Sequence, residues 1–302
     1  MNLMEFEKEF STEEQCQEYL FRLRWPDGFV CPYCGGDKAW HTGEMKLKCQ
    51  SCKRSTSVKA GTIFQDTHKP LTLWFRAIWY VTSQKNGASA MGLQRILGLG
   101  SYNTAWTWLH KLRRAMVRPD RDKLQGRVEV DETMIGAPET DGKRGRGTSN
   151  KALTVIAVEV VGRKLGRIRM NNVESASASD LHMFIENSIE KGSTIITDGW
   201  SGYSGIEMKG YMREIHIANK QTGDDTVLPH VHIVASLLKR WLLGTLQGAW
   251  SKEYFAYYLD EFTFRFNRRN SKSRGMLFYR LLQNAVQIEP VTRHDIRKSR
   301  IK

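Results

Sequence analysis

The chain has 302 residues, with 46 Lys and Arg against 32 Asp and Glu, a formal charge of +14 at pH 7. That length suits two or three domains, and the charge favours a polyanionic partner, nucleic acid first, over simple solubility. No apolar run of roughly 18 residues exists and MNLMEFEKEF is no secretory signal, so no membrane-spanning helix and a reducing, cytoplasmic setting are expected.

Residues 11–24, STEEQCQEYLFRLR, are predicted as a short helix with Ser11 or Thr12 as N-cap, Glu14 available for a capping box, and Cys16 in its core. Two C-x2-C pairs follow, Cys31/Cys34 and Cys49/Cys52, with fourteen residues between them and Gly35-Gly36 after the first. In a reducing compartment five Cys read as metal ligands before disulfides. Each pair sits on a turn, so four thiolates can close a tetrahedron around Zn2+; a redox pair is the competing reading. Residues 1–58 are expected to form a zinc ribbon with an N-terminal helix, held together largely by its metal.

Residues 59–118 are expected to be a helical DNA-binding domain. PLTLWFRAIWYVTSQKNG is one aromatic-rich helix. SAMGLQRILGLGSYNTAWTWLHKLRRAM reads helix, glycine turn, helix, with Leu93, Ile96 and Leu97 inward on the first and Ala105, Trp108, Leu109 and Leu112 on the second. Gly98 and Gly100 supply the turn and Ser101 a cap, spacing that fits a helix-turn-helix or a generic helical hairpin. In the first reading Ser101, Tyr102 and Asn103 reach bases or phosphates, with Lys111, Arg113 and Arg114 behind them.

Past Pro119 the pattern changes. Strands are predicted at 127–133, 153–161 and 166–173, a helix at 177–192, strands at 193–198 and 213–217, then a helix from Pro229 and an aromatic helix through YFAYYLDEFTFRFNRR. This mixed α/β pattern spans 119–270; residues 271–302 read as a basic, weakly patterned tail. A sheet in this order places its first strand beside its fourth, so Asp131 and Asp198, each closing its strand, meet at one edge. Two such carboxylates repel unless a cation lies between them, and Mg2+ suits hard oxygen ligands; as isolated residues either is an ordinary cap.

The helix from Pro229 buries Val231, Val234, Leu237, Leu238 and Trp241, and carries His232 and Lys239 seven residues apart on another face. Taken alone, such a histidine is a packed or surface residue. Between strands one and two, DGKRGRGTSNK places Lys143, Arg144 and Arg146 either against DNA phosphates or on a solvated loop. Trp200 and Tyr203 read as packing residues rather than as a platform for a flipped base.

The ordered run YLFRLRWPDGFVCPYCGG, VEVDETMIG, KRGRG, ITDGWSGY, LLKRWLLGT and YLDEFTFRFNRR spans nearly the whole chain. It resembles insertion-sequence transposases of the DDE type, in their zinc-ribbon group (ISXO-two-like, or IS fifteen-ninety-five). The resemblance implies a mixed α/β, RNase H-like catalytic core behind the zinc ribbon and the helix-turn-helix. It implies two divalent ions, Mg2+ or Mn2+, with cleavage and strand transfer on double-stranded DNA. The partners would be terminal inverted repeats and target DNA, for a bacterial, nucleoid-associated protein acting as a homodimer or higher oligomer. Many members carry Glu seven residues before the helix Lys; seven before Lys239 stands His232. The implied triad is Asp131, Asp198 and His232, with Lys239 and Arg240 gripping phosphate. Neutral imidazole can ligate such an ion, Mn2+ more readily than Mg2+. The rival acid, Glu261, is expected to cap or to pair with an Arg of FRFNRR. A nuclease or resolvase with the same core, or an inactive DNA-binding relative, shares these features.

Overall fold

The computed structural model describes residues 1–43, 46–118, 120–136, 151–217, 227–248 and 250–298. The chain divides into two compact units, one of residues 1–118 with 271–300 and the other built on 119–270.

In the first unit, α1 (Leu3–Glu9) and α2 (Glu13–Arg24) each open on a capping box, Asn2 with Glu5 and Thr12 with Gln15. The box partner expected at Glu14 is thus its neighbour, because Gln15 is the residue three beyond the cap. Cys16 is buried, and burial pushes its thiol up to about 12. The ribbon is an antiparallel sheet of β1 (Ala39–Thr42), β2 (Lys46–Cys49) and β3 (Ser55–Thr56). Next comes α3 (Leu71–Ser83), whose N-cap Pro70 offers no side-chain acceptor. Glu13 supplies it from α2, accepting the backbone N–H groups of Leu71 and Thr72 at 2.7 and 3.2 Å.

The hairpin is α4 (Ala90–Leu97) and α5 (Tyr102–Ala115), joined through Gly98 at φ 60, a left-handed turn where glycine carries no Cβ penalty. Ala105, Trp108, Leu109 and Leu112 are buried, as is Leu93. Ile96 is not: it is 62% exposed, because inward packing runs from Leu93 to Leu99 beyond the turn and leaves Ile96 on the flank. Trp108 stacks on Trp74 of α3 with ring centroids 3.8 Å apart.

The stretch expected as a tail carries two helices. Leu277, Phe278, Leu281, Leu282 and Ala285 are all buried on α9 (Arg274–Ala285), which packs on α3 and α5. Phe278 meets Phe6, Phe10 and Phe75, tying both chain ends into one aromatic core. The short α10 (Arg293–Lys298) follows and packs on α5.

The second unit is a five-stranded mixed sheet of β4 (Arg127–Ile135), β5 (Ala152–Val161), β6 (Lys164–Val173), β7 (Thr194–Thr197) and β8 (Met212–Ile215), in the order β6-β5-β4-β7-β8. The first three form an antiparallel meander; β7 and β8 run parallel to β4. Alternation sorts the side chains. Val128, Val130, Val155 and Ala157 face α6 (Ala178–Ser188) and the buried Tyr203. Ile135, Ile156, Val158 and Ile168 face α7 (Pro229–Leu246) and α8 (Phe255–Phe266). Helices therefore cover both faces, which lets β5 read as a nearly continuous apolar run.

Candidate metal centres and nucleic-acid surface

The four ribbon cysteines converge. Their Sγ atoms all lie within 4.8 Å of one another, with Cys31 to Cys52 at 3.7 Å and Cys34 to Cys49 at 3.6 Å. A Zn–S bond of about 2.3 Å sets the edge of a tetrahedron at about 3.8 Å, which these two pairs already match, so the cage suits zinc. The knuckles are local: the Gly35 N–H donates to the Cys31 carbonyl, and the Lys53 N–H to that of Cys49. Backbone N–H groups of Cys52 and Ser51 aimed at Cys49 pull its thiol down to about 6, towards the thiolate that binds metal.

The carboxylate site is assembled from distant segments. In the parallel register of β4 and β7, Glu129 pairs with Ile196. Two residues further along each chain stand Asp131 and Asp198, which are therefore level. Contrary to the expectation, Asp131 does not close its strand, because β4 continues to Ile135; it lies just past the last residue pair with β7, Glu129 with Ile196, and β7 itself stops at Thr197. Asp198 opens the turn beyond β7, and its Oδ1 accepts the Trp200 N–H at 2.9 Å. Gly202 is required in that turn, because a Cβ there would lie 2.6 Å from the Trp200 Nε1 and 2.8 Å from the Ala176 carbonyl.

Burial pushes the Asp131 carboxyl up to about 7, helped by the charges of Glu132, Asp198 and Glu129 and opposed by the Glu132 N–H that it accepts at 2.8 Å. A carboxylate disfavoured as an ion by burial first and by neighbouring acids second suits a divalent cation. Glu132 is engaged from the other face, where the fully buried Tyr203 hydroxyl donates to it at 2.8 Å. Tyr203 thus packs, and so does Trp200, whose indole N–H donates to the Ala176 carbonyl at 3.0 Å.

Pro229 occupies the first turn of α7, and Val231, Val234 and Leu238 are buried with Leu237 and Trp241 packed beside them. His232, Lys239 and Arg240 lie on exposed positions of this helix. What docks its N-terminus is Glu129. This buried acid accepts the backbone N–H groups of His230 and Val231 at 2.9 and 3.0 Å and pairs with the His230 ring at 2.6 Å. One strand therefore carries Asp131 and, two residues away, the anchor of the helix that carries His232. Among the described residues the four cysteines are the sole group of three or more His, Cys, Asp or Glu as compact as 4.8 Å; Asp131, Asp198 and His232 do not form one. Glu261 is buried and paired with Arg265 of its own helix at 2.8 Å.

On α5, Ser101 caps the helix by accepting the Asn103 N–H, and Tyr102 and Asn103 are exposed. Lys111 and Arg113 point elsewhere. The Lys111 ammonium donates to the Ile63 carbonyl at 3.2 Å, Arg113 is 2% exposed, and Arg114 is half-buried. Packing explains this, because α4, α9 and α10 all pack on α5 and leave little of its later turns facing outward. Lys143, Arg144 and Arg146 lie outside the described residues.

Composition and local pattern miss two features. Glu129 and Glu132 look like the polar positions of an alternating strand, and only their proximity to Asp131 hints at more. The ribbon also has an exposed basic face: Trp40 pairs with Lys48 and Thr42 with Lys46 across β1 and β2, and the Lys53 ammonium sits 4.6 Å over the Trp40 ring.

With strand order β6-β5-β4-β7-β8 and helices on both faces, the second unit has an RNase H-like core of the transposase class, preceded in the chain by a zinc ribbon. Two family models match, the ISXO2-like transposase domain over residues 123–267 and the transposase zinc-ribbon domain over residues 11–55. Both describe the IS1595 group and together they take in more than half of the chain, which belongs to the IS1595 transposase family. An uncharacterized protein in the transposable element ISH50 of Halobacterium salinarum is 25% identical over 276 residues, 85% of this chain and 92% of that one. Among solved structures, the catalytic core domain of BIV integrase aligns at 17% identity and TM-score 0.31, over 49% of this chain and 86% of that one. The Mos1 strand transfer complex aligns at 12% identity and TM-score 0.30, over 74% and 79%. No helix of the described residues is long and apolar enough to cross a membrane.

Proposed function

We propose that the protein is an active transposase. It binds the terminal inverted repeats of its element, cuts them in a metal-dependent step, and joins the freed ends to target DNA. The observation that carries this reading is the parallel pairing of β4 with β7, which sets Asp131 level with Asp198. Those two carboxylates, with His232 as third ligand, would hold divalent cations that supply positive charge at the attacking and leaving oxygens of a displacement at phosphorus.

The chain's own residues do the rest. Glu129 fixes the start of α7, and so the level at which His232 and Lys239 stand relative to Asp131. Tyr203 holds Glu132 away from the Asp131 side of the strand. Lys239 and Arg240, exposed on α7, take backbone phosphates. In the first unit, Tyr102 and Asn103 at the start of α5 read base edges, while Lys46, Lys48 and Lys53 around Trp40 meet phosphates. Synapsis of two element ends calls for a dimer or a larger assembly.

The test is a cleavage and joining assay on duplexes of the element's ends, with Mg2+ or Mn2+. Cutting followed by joining to a target plasmid supports the proposal. Cutting without joining makes the protein a nuclease or resolvase, and binding without cutting an inactive relative.

A further inference from the structure

Residues 290–302, PVTRHDIRKSRIK, hold five Lys and Arg against one Asp. The fold gives this basic stretch an address. Thr292 and Asp295 close a reciprocal cap at the start of α10: the Thr292 N–H and hydroxyl donate to the Asp295 carboxylate at 2.8 and 2.6 Å, and the Asp295 N–H returns a bond of 3.2 Å. The lone acid of the stretch is thereby committed to its own helix. Val291 and Ile296, both buried, anchor the segment. On the anchored side, an Arg293 Nη2 donates to the Asn103 Oδ1 at 2.9 Å, a contact across 190 residues of sequence. Asn103 belongs to the exposed first turn of α5, beside Tyr102. With its Oδ1 taken, Asn103 keeps only amide N–H donors for an outside partner. His294, Arg297 and Lys298 remain exposed, and Arg297 follows Arg293 by one helical turn.

We infer that α10 is a further DNA-contacting element, which grips backbone phosphates with Arg297 and Lys298 beside the bases met by Tyr102 and Asn103. The inference rests on the transposase reading and extends it to a part of the chain to which neither family model reaches. The partner follows from position and chemistry. A helix-turn-helix meets base edges with the first turn of its second helix, and phosphates then lie on either flank of that turn. Flexible cationic side chains on a short helix pinned to that flank suit phosphate oxygens, which carry no sequence information but fix register.

The experiment uses the full-length, zinc-loaded chain and fluorescence anisotropy over a salt series. Its probes are a mixed-sequence duplex and a duplex of the element's own end. Arg297→Glu/Lys298→Glu should weaken binding to both probes about tenfold, and flatten the plot of log affinity against log salt by about 1.8, since each lost phosphate contact removes about 0.9 from the slope. Arg297→Gln/Lys298→Gln should flatten the slope equally with a smaller loss of affinity. Arg22→Glu/Arg280→Glu, two exposed sites matched in charge, separates a local contact from a change in overall charge. Zinc content should be unchanged in all three, and melting temperature should fall only slightly, because every altered side chain is exposed and the charge reversals disturb only surface pairs such as Arg22 with Glu18. If the α10 variants bind as the Arg22/Arg280 control does, while the wild type binds and cuts ends, this inference fails alone. If the wild type binds neither duplex, the transposase reading fails with it.

Discussion

The zinc cage and the carboxylate pair are two metal sites built in opposite ways. The cage takes its four ligands from 22 consecutive residues, on two turns whose backbone N–H groups already point at sulfur. The pair joins residues 67 positions apart, and nothing local holds them together. Their meeting depends on β7 entering the sheet beside β4 rather than at an edge and on the Gly202 turn, while Glu129 draws α7, with His232, onto the same strand. The cage should therefore fail when its metal leaves. The carboxylate site should persist as a shape without metal and fail only in its chemistry.

The largest effect expected from that contrast is on cleavage. Asp131→Asn or Asp198→Asn should lower end cutting on the order of a thousandfold, the several kcal/mol that ligand loss removes from a metal-assisted displacement. Binding to the same duplex should hold or tighten, because a repelling charge is gone. Gel-resolved cleavage beside anisotropy binding measures both. Wild-type cutting by either variant would place the chemistry elsewhere.

Next comes the cage. Cys49→Ser, or chelation, should remove the zinc and most end binding. The sheet of residues 119–270 should keep its protection in hydrogen exchange, since Val128, Val155, Ile156, Ile195 and Leu238 form cores with no stake in the metal. Collapse of protection in that sheet on zinc removal would break the comparison.

The third ligand gives a split of intermediate size. His232→Ala should lose most cutting and fold normally, because the ring stands on an exposed position of α7. His232→Glu should retain part of the activity and narrow any preference for Mn2+, since oxygen replaces nitrogen. Glu261→Gln should do the reverse: its carboxylate is buried against Arg265, so removing the charge should cost about 3 kcal/mol of stability while cutting continues. A dead Glu261→Gln with normal melting, beside an active His232→Ala, would exchange their roles.

Legibility in the sequence follows the same division. The cysteines could be read because spacing alone defines a knuckle. The sheet could be read because periodicity marks strands, and strand order then forces Asp131 beside Asp198. Burial of α5 was legible at Trp108 and Leu112 but not at Arg113, whose charge says surface while its place on a helix packed on α4, α9 and α10 says interior. The role of α9 was hidden for a related reason. Its apolar positions at 277, 278, 281, 282 and 285 have helical spacing, but the ring partners of Phe278, which are Phe6, Phe10 and Phe75, lie 203 to 272 residues earlier, beyond any local pattern. Glu129 and His230 were hidden likewise, because an alternating strand does not say which of its acids a helix will dock on.

The smallest effect expected is on stability, and it isolates the strain at the pair. Asp131 in the folded chain is pushed up to about 7, against an ordinary value of 3.8. Between those two values the folded state keeps a proton that the unfolded state has released. Stability without a divalent cation should therefore decline as pH rises from about 4 to about 7, and stay at the lower level above that. Asparagine cannot ionise, so Asp131→Asn should remove this part of the slope. Above pH 7 the variant should be more stable than the wild type by about 1–2 kcal/mol, the shift at 1.36 kcal/mol per unit discounted for a carboxyl that is partly open to solvent. Urea melts of both chains at about pH 5.5 and about pH 8.5, zinc retained and Mg2+ omitted, give the difference, because titrating groups away from Asp131 cancel between them and what remains belongs to Asp131 with the acids coupled to it, Glu132, Asp198 and Glu129. Adding Mn2+ or Mg2+ at the higher pH should then stabilise the wild type and leave the variant nearly unmoved. Equal slopes in the two chains would mean that Asp131 is relaxed without a cation, and the case for a metal pair would have to rest on cleavage alone.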